Sequence, residues 1–185
     1  MQKTLCFTGP RPKKLYGYNR EEYNELLDFL KNTVLQYIKA GYTTFITGGA
    51  QGFDQLAFWA VNSLKKEYPE IKNVLYLPCK NQDIRWAEEG PFSRKDYQLM
   101  LKYADDIKYV HNRNFESPRD LFDRNHAMVD DSIEILGMYP DNGWRTEKNS
   151  GTAECMRYAL KKDIYITRLV YDNHKHYHTY TEVLN

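Results

Sequence analysis

Short apolar runs alternate with longer amphipathic stretches from one end of this chain to the other. The runs at 3–8, 43–47, 73–77, 107–111, 132–138 and 164–166 are short and mostly rich in β-branched or aromatic residues, so they read as strands. Between the first two, Tyr23, Leu26, Leu27, Leu30, Val34, Tyr37 and Ile38 recur at a spacing of three and four, which lines one face of a helix over 20–39. Phe53, Leu56, Ala57, Ala60, Val61 and Leu64 repeat that spacing to about residue 67. Further helices are predicted at 93–104, at 118–129 and at 152–162. Pro118 opens the second of these, where its missing N–H costs nothing.

Strand–helix alternation repeated five or six times specifies an α/β fold with a mostly parallel sheet, helices on both faces and right-handed crossovers. The 185 residues hold no linker, internal repeat or low-complexity tract. One Rossmann-like domain over 1–170 with a C-terminal tail at 171–185 is the expected organisation. Hydrophobic residues are 42% of the chain and charged residues 28%, a balance that builds a core and excludes disorder. The formal net charge of +1 gives no global field toward nucleic acid or an anionic membrane. No apolar run approaches the ~18 residues of a membrane span, and no leader pattern opens the chain, so a cytoplasmic protein with no membrane partner is expected. Cys6, Cys79 and Cys155 form no C-x-x-C pair, and an odd number argues against a disulfide framework. Cys6 and Cys79 lie in or beside apolar runs and read as buried free thiols.

Two turns leave predicted strands with glycine in them: Thr8-Gly9-Pro10-Arg11-Pro12 and Thr47-Gly48-Gly49-Ala50-Gln51-Gly52-Phe53-Asp54. A third, Asn149-Ser150-Gly151-Thr152, opens the helix at 152–162. In a parallel sheet such turns gather at the carboxyl ends of the strands, where main-chain N–H groups and helix N-termini favour an anion. Gly48, Gly49 and Gly52 either let the main chain touch a ligand or are ordinary strand-to-helix turns. Asp54 falls in the first helical turn, where it accepts from a ribose hydroxyl or complements the helix dipole. Arg11 sits between two prolines, so its guanidinium is presented from a stiff segment and either suits bidentate phosphate contact or is a solvated loop side chain. In Asp123-Arg124-Asn125-His126-Ala127-Met128-Val129-Asp130, the Arg124–Asn125 pair reads as a polar shoulder facing a ligand, or as a surface ion pair.

Other features leave two readings open. His174, His176 and His178 alternate as metal ligands on one strand face would, yet no carboxylate or cysteine completes a set and the location favours a solvated tail; no metal is assigned. Trp86, with Glu88 and Glu89, is a lid or a surface loop, while Trp144 and Arg145 cover a ligand base or anchor their loop.

The pieces C-F-T-G-P-R-P at 6–12, T-G-G-A-Q-G-F-D at 47–54, Pro78, Gln82 and Trp86, R-N-H-A-M-V-D at 124–130 and S-G-T at 150–152 occur in order over nearly all of the chain. In this ordered set the chain resembles the SLOG superfamily and its YpsA-like branch, related to cytokinin-releasing phosphoribohydrolases and to the Rossmann part of a DNA-processing protein. The resemblance implies a nucleotide cleft built from Gly9, Arg11, Gly48, Gly49, Gly52, Asp54, Arg124, Asn125, Ser150, Gly151 and Thr152. Pro10 stands where that branch usually has histidine. The phosphoribohydrolase signature P-G-G-x-G-T-x-x-E ends in a catalytic glutamate, and Cys155 takes that place here. Glu154 lies one residue early, about 100° around the helix.

The leading expectation is a sensor or sequestering protein for a nucleotide-derived ligand, ADP-ribose-like or cyclic, requiring no separate cofactor. The enzymatic alternative is a hydrolase of an N-glycosidic bond in a nucleoside monophosphate, with Glu154 as acid/base and Arg124 orienting phosphate. A third reading, nucleic-acid binding through Arg11, Lys13 and Lys14 beside Tyr16 and Tyr18, is disfavoured by the near-zero net charge. A homo-oligomer is compatible with all three.

Overall fold

Among the described residues, seven strands form one sheet in the order β4-β3-β2-β1-β5-β6-β7. The structure is a computed structural model that describes residues 3–172 and 174–182. β1 (Lys3–Thr8), β2 (Tyr42–Thr47), β3 (Lys72–Leu77), β4 (Asp106–Tyr109), β5 (Glu134–Met138) and β6 (Tyr165–Tyr171) run parallel, and β7 (Tyr177–Glu182) pairs antiparallel with β6. Five α-helices connect them: α1 (Asn24–Lys39), α2 (Phe53–Leu64), α3 (Arg94–Tyr103), α4 (Arg119–Asp130) and α5 (Gly151–Lys161). This is the Rossmann-like α/β architecture that the alternation specifies.

Each central strand buries both faces, so its side chains alternate between two cores. Leu5, Phe7 and Phe45 pack with Leu26, Leu30, Phe53 and Ala57 of α1 and α2. Cys6, Ile46, Val74 and Ile135 pack with Met128 of α4 and Met156 and Ala159 of α5. Leu75 and Leu77 meet Phe58 of α2 and Tyr97 and Met100 of α3. Burial of each such large side chain contributes about 1.5–3 kcal/mol before entropy is counted.

Element boundaries differ from expectation where local hydrogen bonds intervene. Arg20–Tyr23 forms a 3-10 turn ahead of α1, with the Asn19 side chain accepting from the Glu21 N–H. Ser132 does not join β5, because its hydroxyl turns back to the Met128 carbonyl at 2.7 Å. The larger correction concerns the C-terminus. Residues 177–182, read as part of a tail, are a sheet strand whose register runs from Ile166↔Glu182 to Tyr171↔Tyr177. Of the positions assigned to that tail, 173 and 183–185 lie outside the described residues. His178 lies in β7, while the N–H groups of His174 and His176 and the His176 ring all bond to Asp172 in the turn before it. Asp172 thus organises His174 and His176.

The crossover directions place the functional end of the molecule. β1 pairs with β2 on one side and β5 on the other. The chain leaves β1 and β5 toward opposite faces, which opens a crevice beyond their carboxyl ends.

Candidate functional site

A cleft of about 780 Å³ occupies that crevice. Its floor is the end of β1 (Thr8, Gly9) and of β5 (Met138, Tyr139), and the first turns of α2 and α5 approach it through Asp54 and through Ser150, Gly151 and Thr152. Its size falls in the range of small-molecule and cofactor sites. Ser150 caps α5 by accepting from the Ala153 N–H at 3.2 Å. The Gly151 and Thr152 amides belong to the first turn, which has no intrahelical acceptors, and they stand at the cleft wall with the positive end of the helix dipole.

Charge is unevenly distributed here. Arg11, Lys13, Lys14, Arg124 and Lys148 line the cleft, against the single carboxylate of Asp54. A chain of net charge +1 therefore concentrates positive potential in one concavity. The opposite wall is apolar, with Pro118, Leu121 and Phe122 at the start of α4, and Tyr139 and Tyr171 bring aromatic rings to the same space.

The predicted residues separate into two groups. Gly9, Arg11, Asp54, Arg124, Asn125, Ser150, Gly151 and Thr152 come together around the cleft. Gly48, Gly49 and Gly52 do not line it. A Cβ on Gly48 would overlap the Arg124 guanidinium, and the neighbours of Gly49 are Gln82, Leu77 and Tyr97. Gly52 has φ +89° and lies under the Pro10 carbonyl, 2.8 Å from where a Cβ would sit, so only glycine makes this turn without strain. The T-G-G-A-Q-G motif thus shapes the floor from behind.

Arg124 is buried, and two of its three guanidinium nitrogens are engaged. Its Nη1 donates to the Gly48 carbonyl and lies 3.7 Å from Asp54 Oδ2, while its Nε donates to Asn125 Oδ1 at 3.0 Å. Asn125 in turn donates to the Gly151 carbonyl at 3.3 Å. Burial pushes the Asp54 carboxyl up from its ordinary value, and Arg124, Arg11 and the Ala50 and Gly48 amides pull it back.

Glu154 stands apart from the cleft. It leaves the first turn of α5 toward α4, where its Oε1 meets His126 Nε2 at 2.6 Å. Cys155, at the position of the hydrolases' glutamate, is buried, and desolvation raises its thiol pKa well above the ordinary range. All three cysteines are free and buried. Trp144 is fully buried beneath Arg145, whose guanidinium lies 4.5 Å from the ring centroid, so the tryptophan anchors its loop. Trp86 packs edge-on against Tyr97 at 5.2 Å and does not cover the cleft. His111, Asp120 and Asp123 bring ligand-type atoms within 4.8 Å of one another. Arg113 donates to both Asp120 oxygens at 2.9 Å, which makes the group an ion-pair network holding the loop before α4.

Sequence reasoning missed the apolar wall and Lys148. Pro118, Leu121 and Phe122 look like one more amphipathic helix start, and only the crossover of α4 brings them to the cleft. Tyr139-Pro140 held a usable signal, since it follows β5 as Gly9-Pro10 follows β1.

Comparison with known proteins agrees with this architecture. Two curated proteins of Bacillus subtilis strain 168 are similar to the chain. The SPbeta prophage-derived protein YoqJ is 37% identical over 127 residues, covering 63% of this chain and 69% of YoqJ. The UPF0398 protein YpsA is 26% identical over 158 residues, covering 84% of this chain and 86% of that protein. Among solved structures, DNA processing protein A from Helicobacter pylori, described for its single-stranded DNA binding mode, superposes with a TM-score of 0.56 at 13% identity, covering 94% of this chain and 67% of that one. That likeness concerns the fold. Among the described residues no helix is long and apolar enough to cross a membrane. The model of the YspA SLOG family matches residues 5–174, and the chain belongs to that family.

Proposed function

We propose that the cleft binds a nucleotide or nucleotide-derived ligand, ADP-ribose-like or cyclic, and that the protein acts as its sensor or sequestering partner. The observation that carries this reading is the charge imbalance of five cations to one carboxylate in a concavity that also offers an apolar wall. A phosphate would sit toward the first turn of α5, where main-chain amides, the helix dipole and Lys148 favour an anion. A base would lie against Phe122 and Leu121, and aromatic rings at Tyr139 and Tyr171 suit its faces.

The hydrolytic alternative has less support. Cleavage of an N-glycosidic bond needs a carboxylate near C1′. Glu154 is directed to His126, and the cleft's one carboxylate, Asp54, is held against Arg124. Single-stranded DNA is the second reading. It is favoured by the fold shared with the Helicobacter protein, and the cleft's cations and the exposed rings of Tyr18 and Phe122 suit a strand. This weakens the expectation, drawn from net charge, that nucleic acid is no partner.

The test is thermal unfolding with a panel of ADP-ribose, cyclic dinucleotides, nucleoside monophosphates and an oligothymidylate, followed by chromatography of each mixture. A ligand at ~100 times its Kd adds ~2.7 kcal/mol, a rise of roughly 5–10 °C for a chain of this size. A rise with intact small nucleotide supports binding, and released base supports the hydrolase. A rise with the oligonucleotide alone supports the second reading. No rise with any member overturns the assignment.

A further inference from the structure

We infer that Arg124 is a positioning residue and not a ligand contact: with Asp54 it forms an internal strut that holds the Gly48–Asp54 turn against α4 and sets the floor of the cleft. This rests on the cleft being the binding site, and it reassigns the guanidinium that the family pattern offers for phosphate.

Four observations converge. Arg124 and Asp54 reach the cleft lining but are buried, at 5% exposure each, so little of either is offered to a ligand. Nη1 already meets the Gly48 carbonyl and the Asp54 carboxylate, and Nε meets Asn125 Oδ1, so a phosphate would meet Nη2 alone unless it displaced one of these partners. Asp54 accepts from the Ala50 N–H at 3.3 Å, so the carboxylate ties the turn to its own helix start while Arg124 ties it to α4. Gly48 has no side chain because the guanidinium occupies that space. The glycine of one motif and the arginine of another, 76 residues apart, are therefore parts of one joint.

The arrangement has a consequence for recognition. Asp54 compensates Arg124 internally, so the cations free to meet an anion are the exposed ones, Arg11, Lys13, Lys14 and Lys148. A buried pair of this kind is costly to break from one side and far less costly to replace as a unit.

A double-mutant cycle tests the strut. Arg124→Gln, Asp54→Asn and the double variant are compared with the wild-type chain by melting temperature without ligand, and by calorimetric titration with ADP-ribose and with inorganic pyrophosphate. Arg124→Gln removes the chief cationic partner of a buried carboxylate beside the cleft; its melting temperature should fall by roughly 10 °C and its probe affinity by at least 10-fold. The double variant should recover at least about half of the lost melting temperature and return to within about threefold of wild-type affinity. If Arg124→Gln yields no folded protein, cooperative melting of the double variant supports the strut, and its failure to fold overturns it. A direct phosphate contact predicts the reverse: Asp54→Asn binds pyrophosphate more tightly, and the double variant stays as weak as Arg124→Gln. A double variant that melts no higher than Arg124→Gln also overturns the inference. Should the wild-type chain bind neither probe, the ADP-ribose-like form of the ligand reading fails, while the melting cycle still decides the strut.

Discussion

His126 Nε2 lies 2.6 Å from Glu154 Oε1, so the carboxylate in the first turn of α5 faces its neighbour α4 and not the cleft. The His126 ring also stacks on Tyr158 of α5, with centroids 3.7 Å apart and planes 13° from parallel. Together these contacts clamp α4 to α5, the two helices that carry Asn125 and Gly151 to the cleft.

The clamp predicts that Glu154→Gln leaves ligand affinity, and any turnover, within twofold of wild type. Its cost appears in stability instead, at about 1 kcal/mol because both side chains are partly exposed. Urea unfolding alongside the nucleotide titration checks both halves. A loss of turnover at unchanged stability would restore Glu154 as an acid/base.

If Arg11 and Lys148 meet the ligand's negative oxygens directly, their removal should act on binding and spare the fold. Arg11→Gln and Lys148→Gln are each expected to weaken a phosphate-bearing ligand by roughly 10–100-fold, the worth of a charge-assisted hydrogen bond. Both side chains are exposed, so melting temperatures should move by less than about 2 °C. Affinity of the wild-type chain should fall as salt rises, and less steeply in either variant.

Most of the architecture was legible because it rests on local periodicity. Residues 24–39 and 53–64 are helices where the 3–4 spacing of apolar residues places them, and five parallel strands overlap the predicted runs closely, while β6 continues from the predicted 164–166 run to Tyr171. β7 was not legible, since Tyr177–Glu182 is a polar sheet edge whose outward side chains carry no hydrophobic alternation. The site was half legible. Gly9, Arg11, Ser150, Gly151 and Thr152 are strand-end or helix-start residues, and the topology rule alone brings them together. The meaning of Gly48 was hidden, because its cause is a side chain 76 positions away. The same limit hid Glu154, whose direction depends on which residue of α4 lies opposite.

The loop before α4 gives a pH-dependent prediction. Two Arg113 hydrogen bonds and the Glu116 and Ser117 amides hold the Asp120 carboxyl well below the usual carboxylate range. A group with a depressed folded pKa stabilises the native state above its unfolded value of about 3.9 and loses that contribution as pH falls toward the folded value. Wild-type stability should therefore drop below about pH 4, and Asp120→Asn should flatten that part of the profile while lowering stability at pH 7. Melting temperatures from pH 7 to pH 2.5 measure the difference. Parallel profiles for the two chains would show that Asp120 contributes nothing to acid unfolding.

Phe122 separates recognition of a base from recognition of a phosphate. Its ring is 38% exposed on the cleft wall contributed by α4, so truncation removes little core packing. Stacking of a base on an aromatic side chain contributes about 1–3 kcal/mol, or roughly 5- to 150-fold in affinity. Phe122→Ala should weaken ADP-ribose or a nucleoside monophosphate by that factor and leave inorganic pyrophosphate unchanged, both read by calorimetric titration. Equal weakening of the two would mean that the ring shapes the cationic side of the cleft, and the base would then have to lie elsewhere, beside Tyr139 or Tyr171.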